Sequence, residues 1–142
     1  MLHTAADSVS DCSPSTLEAA YFEQLQAVIE TVGHRQVAAE TDVATARLEA
    51  LAAGEQPPLT LTAAAEILAV ADSNPDTEAI VFELRDHLLL GMTTAVLDVD
   101  TIAANIAVDL TGQEVQQAIE GRTEMTLAQL AAIQSVIESR ED

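Results

Sequence analysis

The chain has 142 residues, 24 of them acidic and 5 basic, for a formal charge of −19, and only 2% are aromatic. That length suits one domain with one core, and the shortage of rings means a core of Leu, Ile, Val and Ala. A mean hydropathy of +0.20 argues against wholesale disorder, since disordered acidic chains are poor in aliphatics.

The five basic residues are Arg35, Arg47, Arg85, Arg122 and Arg140, and Lys is absent. A lysine-free, acidic, Ala/Val/Thr-rich chain has the composition of a cytosolic protein from an extreme halophile. Multimolar salt screens self-repulsion to a few ångströms, so a large negative charge costs little and keeps the surface hydrated. Loss of structure at low ionic strength is the expected consequence. Cys12 has no partner cysteine, so neither a disulfide framework nor a zinc site is expected. The N-terminus lacks a basic region followed by an apolar run, so no signal peptide is expected and the cytoplasm is the expected location.

Residues 1–13 are polar and acidic and are expected to be a disordered tail, with one all-helical domain over 14–142. The first helix starts at Ser13 or Ser15: Ser13 can cap with Pro14 at the first helical position, and Ser15 with Glu18 offers a capping box. Its apolar stripe runs through Leu25, Val28, Ile29 and Val32, and Gly33 ends it. A short helix to about Thr41, a turn at Asp42–Val43 and a second short helix ending at Gly54 follow. After Pro57–Pro58, Thr60 is the N-cap of a helix carrying Ile67 and Leu68, stopped at Asn74–Pro75.

The most apolar stretch, Asp76 to Leu97, reads as a central helix. Ile80, Val81, Leu84, Leu88, Met92 and Ala95 form one stripe, with Gly91 among them. Phe82, Leu89 and Val96, seven apart, form a second. Two stripes imply contacts on two sides; internal packing is the favoured role of the second, and an oligomer seam the other. Glu83, Arg85 and Asp86 interrupt the run too often for a membrane span. Beyond it, Asp100 is the expected cap of a short helix through Ile106. Thr111 with Glu114, and Thr126 with Gln129, are capping boxes for two more helices. No segment alternates with a strand period. The expected fold is all-α, about eight helices.

The flanks of the central helix share a pattern. VAAETDV (37–43) matches IAANIAV (102–108), each followed by a short helix, a glycine (Gly54, Gly121) and a Thr-Leu helix start (60–61, 126–127). Repeat one spans about 34–72, the central helix 76–97 and repeat two about 100–138. Each copy resembles the phage-repressor, Xre/Cro-like helix-turn-helix, through Ala38 or Ala103, Val43 or Val108, Gly54 or Gly121, and Thr60–Leu61 or Thr126–Leu127. The whole chain resembles a haloarchaeal family of small acidic proteins, through LLLGMTTAVLDVD and EGRTEMTL. That likeness implies no activity.

The helix-turn-helix resemblance implies recognition helices at about 44–53 and 112–120. DNA contacts would then fall to Arg47, Gln113, Gln116, Gln117 and Arg122, since Gln reads adenine and Arg reads guanine or phosphate. Against this, residues 98–142 hold nine acidic residues and two Arg, with no basic stripe to neutralise phosphates. A structural or protein-interaction role, with a protein partner or with self-association through Phe82, Leu89 and Val96, is the favoured expectation; DNA binding is the alternative. Catalysis is not expected: His3, His34 and His87 are isolated in sequence, and no phosphate loop, nucleophile elbow or Cys/His cluster is present. Asp98 and Asp100 are expected to serve a helix start, and His87 to sit at a boundary with its ring nitrogen satisfied. No cofactor or metal is expected.

Overall fold

Capping chemistry sets the helix starts. The computed structural model describes residues 2–8 and 11–140. In α1 (Pro14–Val32) the Ser13 side chain accepts the Thr16 amide, and the helix ends at Gly33 with φ 94°. Next come α2 (His34–Glu40), α3 (Thr45–Ala52) and α4 (Leu61–Ala69), where Thr60 accepts the Ala63 amide at 3.1 Å. Asp76 accepts the Ala79 amide at 2.9 Å to start α5 (Thr77–Ala95). The chain continues with α6 (Val99–Ala104), α7 (Gly112–Ile119) and α8 (Leu127–Arg140). The Thr111/Glu114 box is fully formed, and Thr126 and Gln129 exchange side chain–amide bonds of 3.1 Å in both directions. The fold is all-α, with eight α-helices and no strand among the described residues.

The two halves of the chain carry the same sequence of elements. Both α1 and α5 have 19 residues, a side-chain N-cap and a residue of positive φ at the end; each is followed by two short helices and a Thr-capped or Thr-Leu helix. Packing is reciprocal: α1 lies on α8 and α5 on α4, while α1 also touches α4 and α5 touches α8. Where the halves meet, Thr60 and Thr126 form an isolated antiparallel bridge. Leu61 N donates to Met125 O at 2.6 Å and Leu127 N to Leu59 O at 3.0 Å. Each helix start thus satisfies an otherwise orphaned amide of the other. One aliphatic cluster joins both halves, including Leu17, Leu25, Ile67, Ile80, Leu88 and Ile133.

Two expectations change. The N-terminal segment is not wholly disordered: Leu2–Ser8 is a 3-10 helix, with Leu2 and Ala5 fully buried. Two apolar side chains in an otherwise polar stretch suffice to dock it, against α1 and α5. Second, Asp98 and not Asp100 caps α6, its carboxylate accepting the Thr101 amide at 2.8 Å. Hydrogen bonds from Thr101 hold the Asp98 carboxyl below its ordinary pKa. The Asp100 side chain instead lies against Gly112, at a spot where a Cβ would collide with it, so its charge faces the N-terminal dipole of α7. As the central-helix reading expects, α5 packs on α4 of the first flank and on α8 and α7 of the second. It opens the second half as α1 opens the first.

Candidate interaction surface

Helix α5 buries one side only. Ile80, Leu84, Leu88 and Gly91 are buried, with Val81, Met92 and Ala95 half-buried beside them, as their common stripe predicts. The second stripe does not pack inside the chain. Phe82 is 68% exposed, Leu89 47% and Val96 89%, and Leu90 next to them is 61% exposed. The expectation of internal packing fails because α4 and α8 between them cover only the first stripe, and α7 reaches only the edge of the helix. Four large apolar side chains on one exposed helix face are more than the scattered singles normal at a surface.

The same positions in α1 are filled differently. Counted from the N-caps Ser13 and Asp76, the counterparts of Phe82, Leu89, Leu90 and Val96 are Ala19, Gln26, Ala27 and Gly33. Buried positions correspond in kind: Leu17 with Ile80, Tyr21 with Leu84, Leu25 with Leu88. The architecture is therefore built in α1 without any large apolar residue on this face.

Val96 is also the lone non-glycine residue of positive φ among the described residues, at φ 55° and ψ 51°. A β-branched side chain in the left-handed region is strained, and glycine is the usual occupant of a helix end. In α1 that occupant is Gly33. Beside the stripe, Leu89, Met92, Val99 and Ile119 line a groove of 330 Å³, with Asp98, Gln116 and Glu120 among its polar lining.

The residues suggested for DNA contact are placed as follows. Arg47, on exposed α3, donates to Pro58 O at 2.7 Å. Gln113 and Gln116 are exposed on α7 and Gln117 is half-buried. Gln116 donates to Glu120 at 3.0 Å, and Arg122 Nε pairs with the same carboxylate at 3.1 Å. The structure thus gathers Gln116 and Arg122 on one acidic group and leaves Arg47 in the other half. Arg85, whose role sequence reasoning missed, donates to Ile119 O at 2.9 Å and to Glu120 O, closing the C-terminal end of α7. A cation there suits the helix dipole.

A buried polar chain was also missed. The Tyr21 hydroxyl donates to Gln134 Oε1, and Gln134 is fully buried. Gln134 Nε2 donates to His3 O at 3.3 Å and to Glu138 at 3.4 Å. Glu138 lies 2.9 Å from His87 Nε2, so the boundary histidine has its partner. His3 and His87, isolated in sequence, have ring centroids 5.6 Å apart. Burial raises the pKa of Tyr21, with Glu138 adding to it, and burial likewise lowers that of His3. The arrangement ties the N-terminal 3-10 helix to α1, α5 and α8. Among the described residues no group of three His, Cys, Asp or Glu is placed to hold a metal ion, and no helix is long and apolar enough to cross a membrane.

The chain belongs to a family of unknown function, DUF5791, whose model matches residues 17–140. No curated protein and no solved structure matches it.

Proposed function

We propose that this is a non-enzymatic protein-interaction module of a halophilic cytoplasm, built from two copies of one four-helix unit, with the outer face of α5 as its binding surface. The unit resembles the repressor-type helix-turn-helix bundle, and its α2–α3 and α6–α7 pairs are the counterparts of that motif. The duplication reading is supported by matched element order, reciprocal packing and the Thr60–Thr126 bridge at corresponding positions. The observation that carries the functional reading is the exposed quartet Phe82, Leu89, Leu90 and Val96, where α1 has Ala, Gln, Ala and Gly. A fold that one copy achieves without these side chains does not retain them for stability.

DNA binding is the weaker reading. Of the two cations at the second motif, Arg122 is paired with Glu120 and Arg85 is engaged by the carbonyls of Ile119 and Glu120, which leaves little free positive charge for phosphate.

The test is to give α5 the residues of α1: Phe82→Ala, Leu89→Gln, Leu90→Ala and Val96→Gly together. Exposed substitutions each shift stability by about 0.5 kcal/mol or less, so the variant should fold and melt at or above the wild-type temperature in concentrated KCl. Loss of association with an otherwise intact fold supports the reading. A fall in stability of several kcal/mol would assign the quartet to the fold and end it.

A further inference from the structure

The spacing of the exposed stripe points to its occupant: we infer that the α5 face binds the α5 face of a second copy, antiparallel, about a two-fold axis at Leu89. This rests on the interaction reading above and names the partner.

Phe82 and Val96 lie at equal distances in sequence on either side of Leu89, one heptad away each. An antiparallel pair with its axis at Leu89 therefore sets Leu89 against Leu89, and the Phe82 of each copy against the Val96 of the other. A large side chain faces a small one at both ends, and one surface serves both partners, as an isologous interface requires. The pairing brings each Phe82 level with the other copy's Val96, about one helical turn from the Met92 that lines the 330 Å³ groove toward α7. That groove is roomy enough for a phenyl ring, and its apolar lining suits one.

The area is consistent with a dimer. Four side chains exposed by 47% to 89% offer on the order of 450 Å² per copy, or about 900 Å² over the pair, close to the ~1,000 Å² at which specific interfaces begin. The strained Val96 adds an independent observation: backbone strain persists where something other than folding requires the side chain, and the pairing gives an 89%-exposed valine a partner.

Charge sets the conditions. Glu78, Glu83, Asp86 and Asp98 border or flank the face, so two copies repel at low ionic strength and associate when salt screens them and strengthens apolar burial. Association should rise with KCl, the reverse of a contact built on ion pairs.

The experiment is sedimentation equilibrium of the full chain in multimolar KCl, with circular dichroism on the same samples. A wild-type dimer whose dissociation constant rises at least tenfold on Leu89→Gln, with helicity unchanged, is the expected result. In a Cys12→Ser background, Leu89→Cys should crosslink to itself on oxidation, and Phe82→Cys should crosslink to Val96→Cys in mixtures but not to itself. A monomer at all accessible concentrations, or a dimer indifferent to Leu89→Gln, overturns the inference; self-crosslinking of Phe82→Cys overturns the antiparallel arrangement. A folded monomer that crosslinks to a different protein from a photoreactive residue at Leu89 ends this inference and leaves the interaction reading standing.

Discussion

Replacing Tyr21 by Phe removes one hydroxyl from the interface between α1 and α8 and leaves Gln134 Oε1 without the donor it has in the folded protein. Gln134 has no solvent access, so water cannot take the place of the lost donor. A buried acceptor stranded in this way costs about 1–3 kcal/mol. The reverse change, Gln134→Leu, strands the Tyr21 hydroxyl and removes the donation to His3 O, at a similar cost of about 1–3 kcal/mol. The double variant strands neither of these two side chains, and leaves His3 O without its Gln134 donor. The positions corresponding to Tyr21 and Gln134 in the other half are Leu84 and Leu68, both apolar and buried.

A double-mutant cycle should therefore show coupling of about 1–3 kcal/mol, with the double variant more stable than the sum of the single losses predicts. Urea unfolding in concentrated KCl, followed by helix dichroism, reads it directly, and each 1 kcal/mol corresponds to roughly 3–5 °C in melting temperature for a chain of this size. The reasoning is refuted if both single variants lie within about 0.5 kcal/mol of wild type, or if the two losses simply add.

Other consequences follow from the same structure. Val96→Gly relieves a left-handed β-branched residue and should raise stability by about 1 kcal/mol while weakening association, measured by thermal melts and sedimentation. Gly121→Ala should lose about 1–3 kcal/mol, because φ is 80° and a Cβ would meet the Arg85 guanidinium at 2.7 Å; equal melting temperatures would contradict that. Diluting KCl to millimolar levels should abolish helicity, since a charge of −19 is then unscreened. For pH, burial lowers the pKa of His3 from its ordinary 6.5, so as pH falls the unfolded chain takes the proton first. The contribution of His3 is thus complete above about 6.5 and is lost as pH falls through the lower folded value. His3→Gln should flatten the fall in melting temperature between about pH 7 and pH 5.5, above the main carboxylate range.

Most helix boundaries were legible because their signals are local. A Ser, Thr or Asp with a partner three residues on, and a glycine after an apolar period, depend on nothing distant. The Asp98/Asp100 choice was not: both are good caps, and only the proximity of Asp100 to Gly112 at the start of α7 separates their roles. The 3-10 helix escaped notice because two buried residues, Leu2 and Ala5, give no period to detect. The polar chain escaped because Tyr21 and Gln134 are 113 residues apart. At the candidate surface, the stripe Phe82, Leu89, Val96 was visible in the heptad spacing, but spacing alone does not say which of two stripes faces the core. The nearby Arg85 did not flag its own role, since a guanidinium on a charged helix face looks solvated until the carbonyls of α7 are placed beside it.

The proposed four-helix unit is longer than the repeats read from the sequence, 34–72 and 100–138, for a physical reason. Reading α5 as a hub rested on its being the most apolar run in the chain. Much of that excess apolarity sits at Phe82, Leu89, Leu90 and Val96, which the core does not use. With those four set aside, the buried residues Ile80, Leu84, Leu88 and Gly91 of α5 fall at the positions of Leu17, Tyr21, Leu25 and Val28 in α1, while Ala20, Phe22 and Ile29 are buried where α5 has Glu83, Arg85 and Met92. Under the proposed duplication, the residues that hide the likeness of α1 and α5 are among those that distinguish them. The two helices differ at core positions, Phe22 against Arg85 and Ala20 against Glu83, and also on the outer face, where α5 has large apolar side chains and a left-handed valine in place of small or polar residues and Gly33. An exposed apolar face on a chain this acidic is what the proposed contact role predicts.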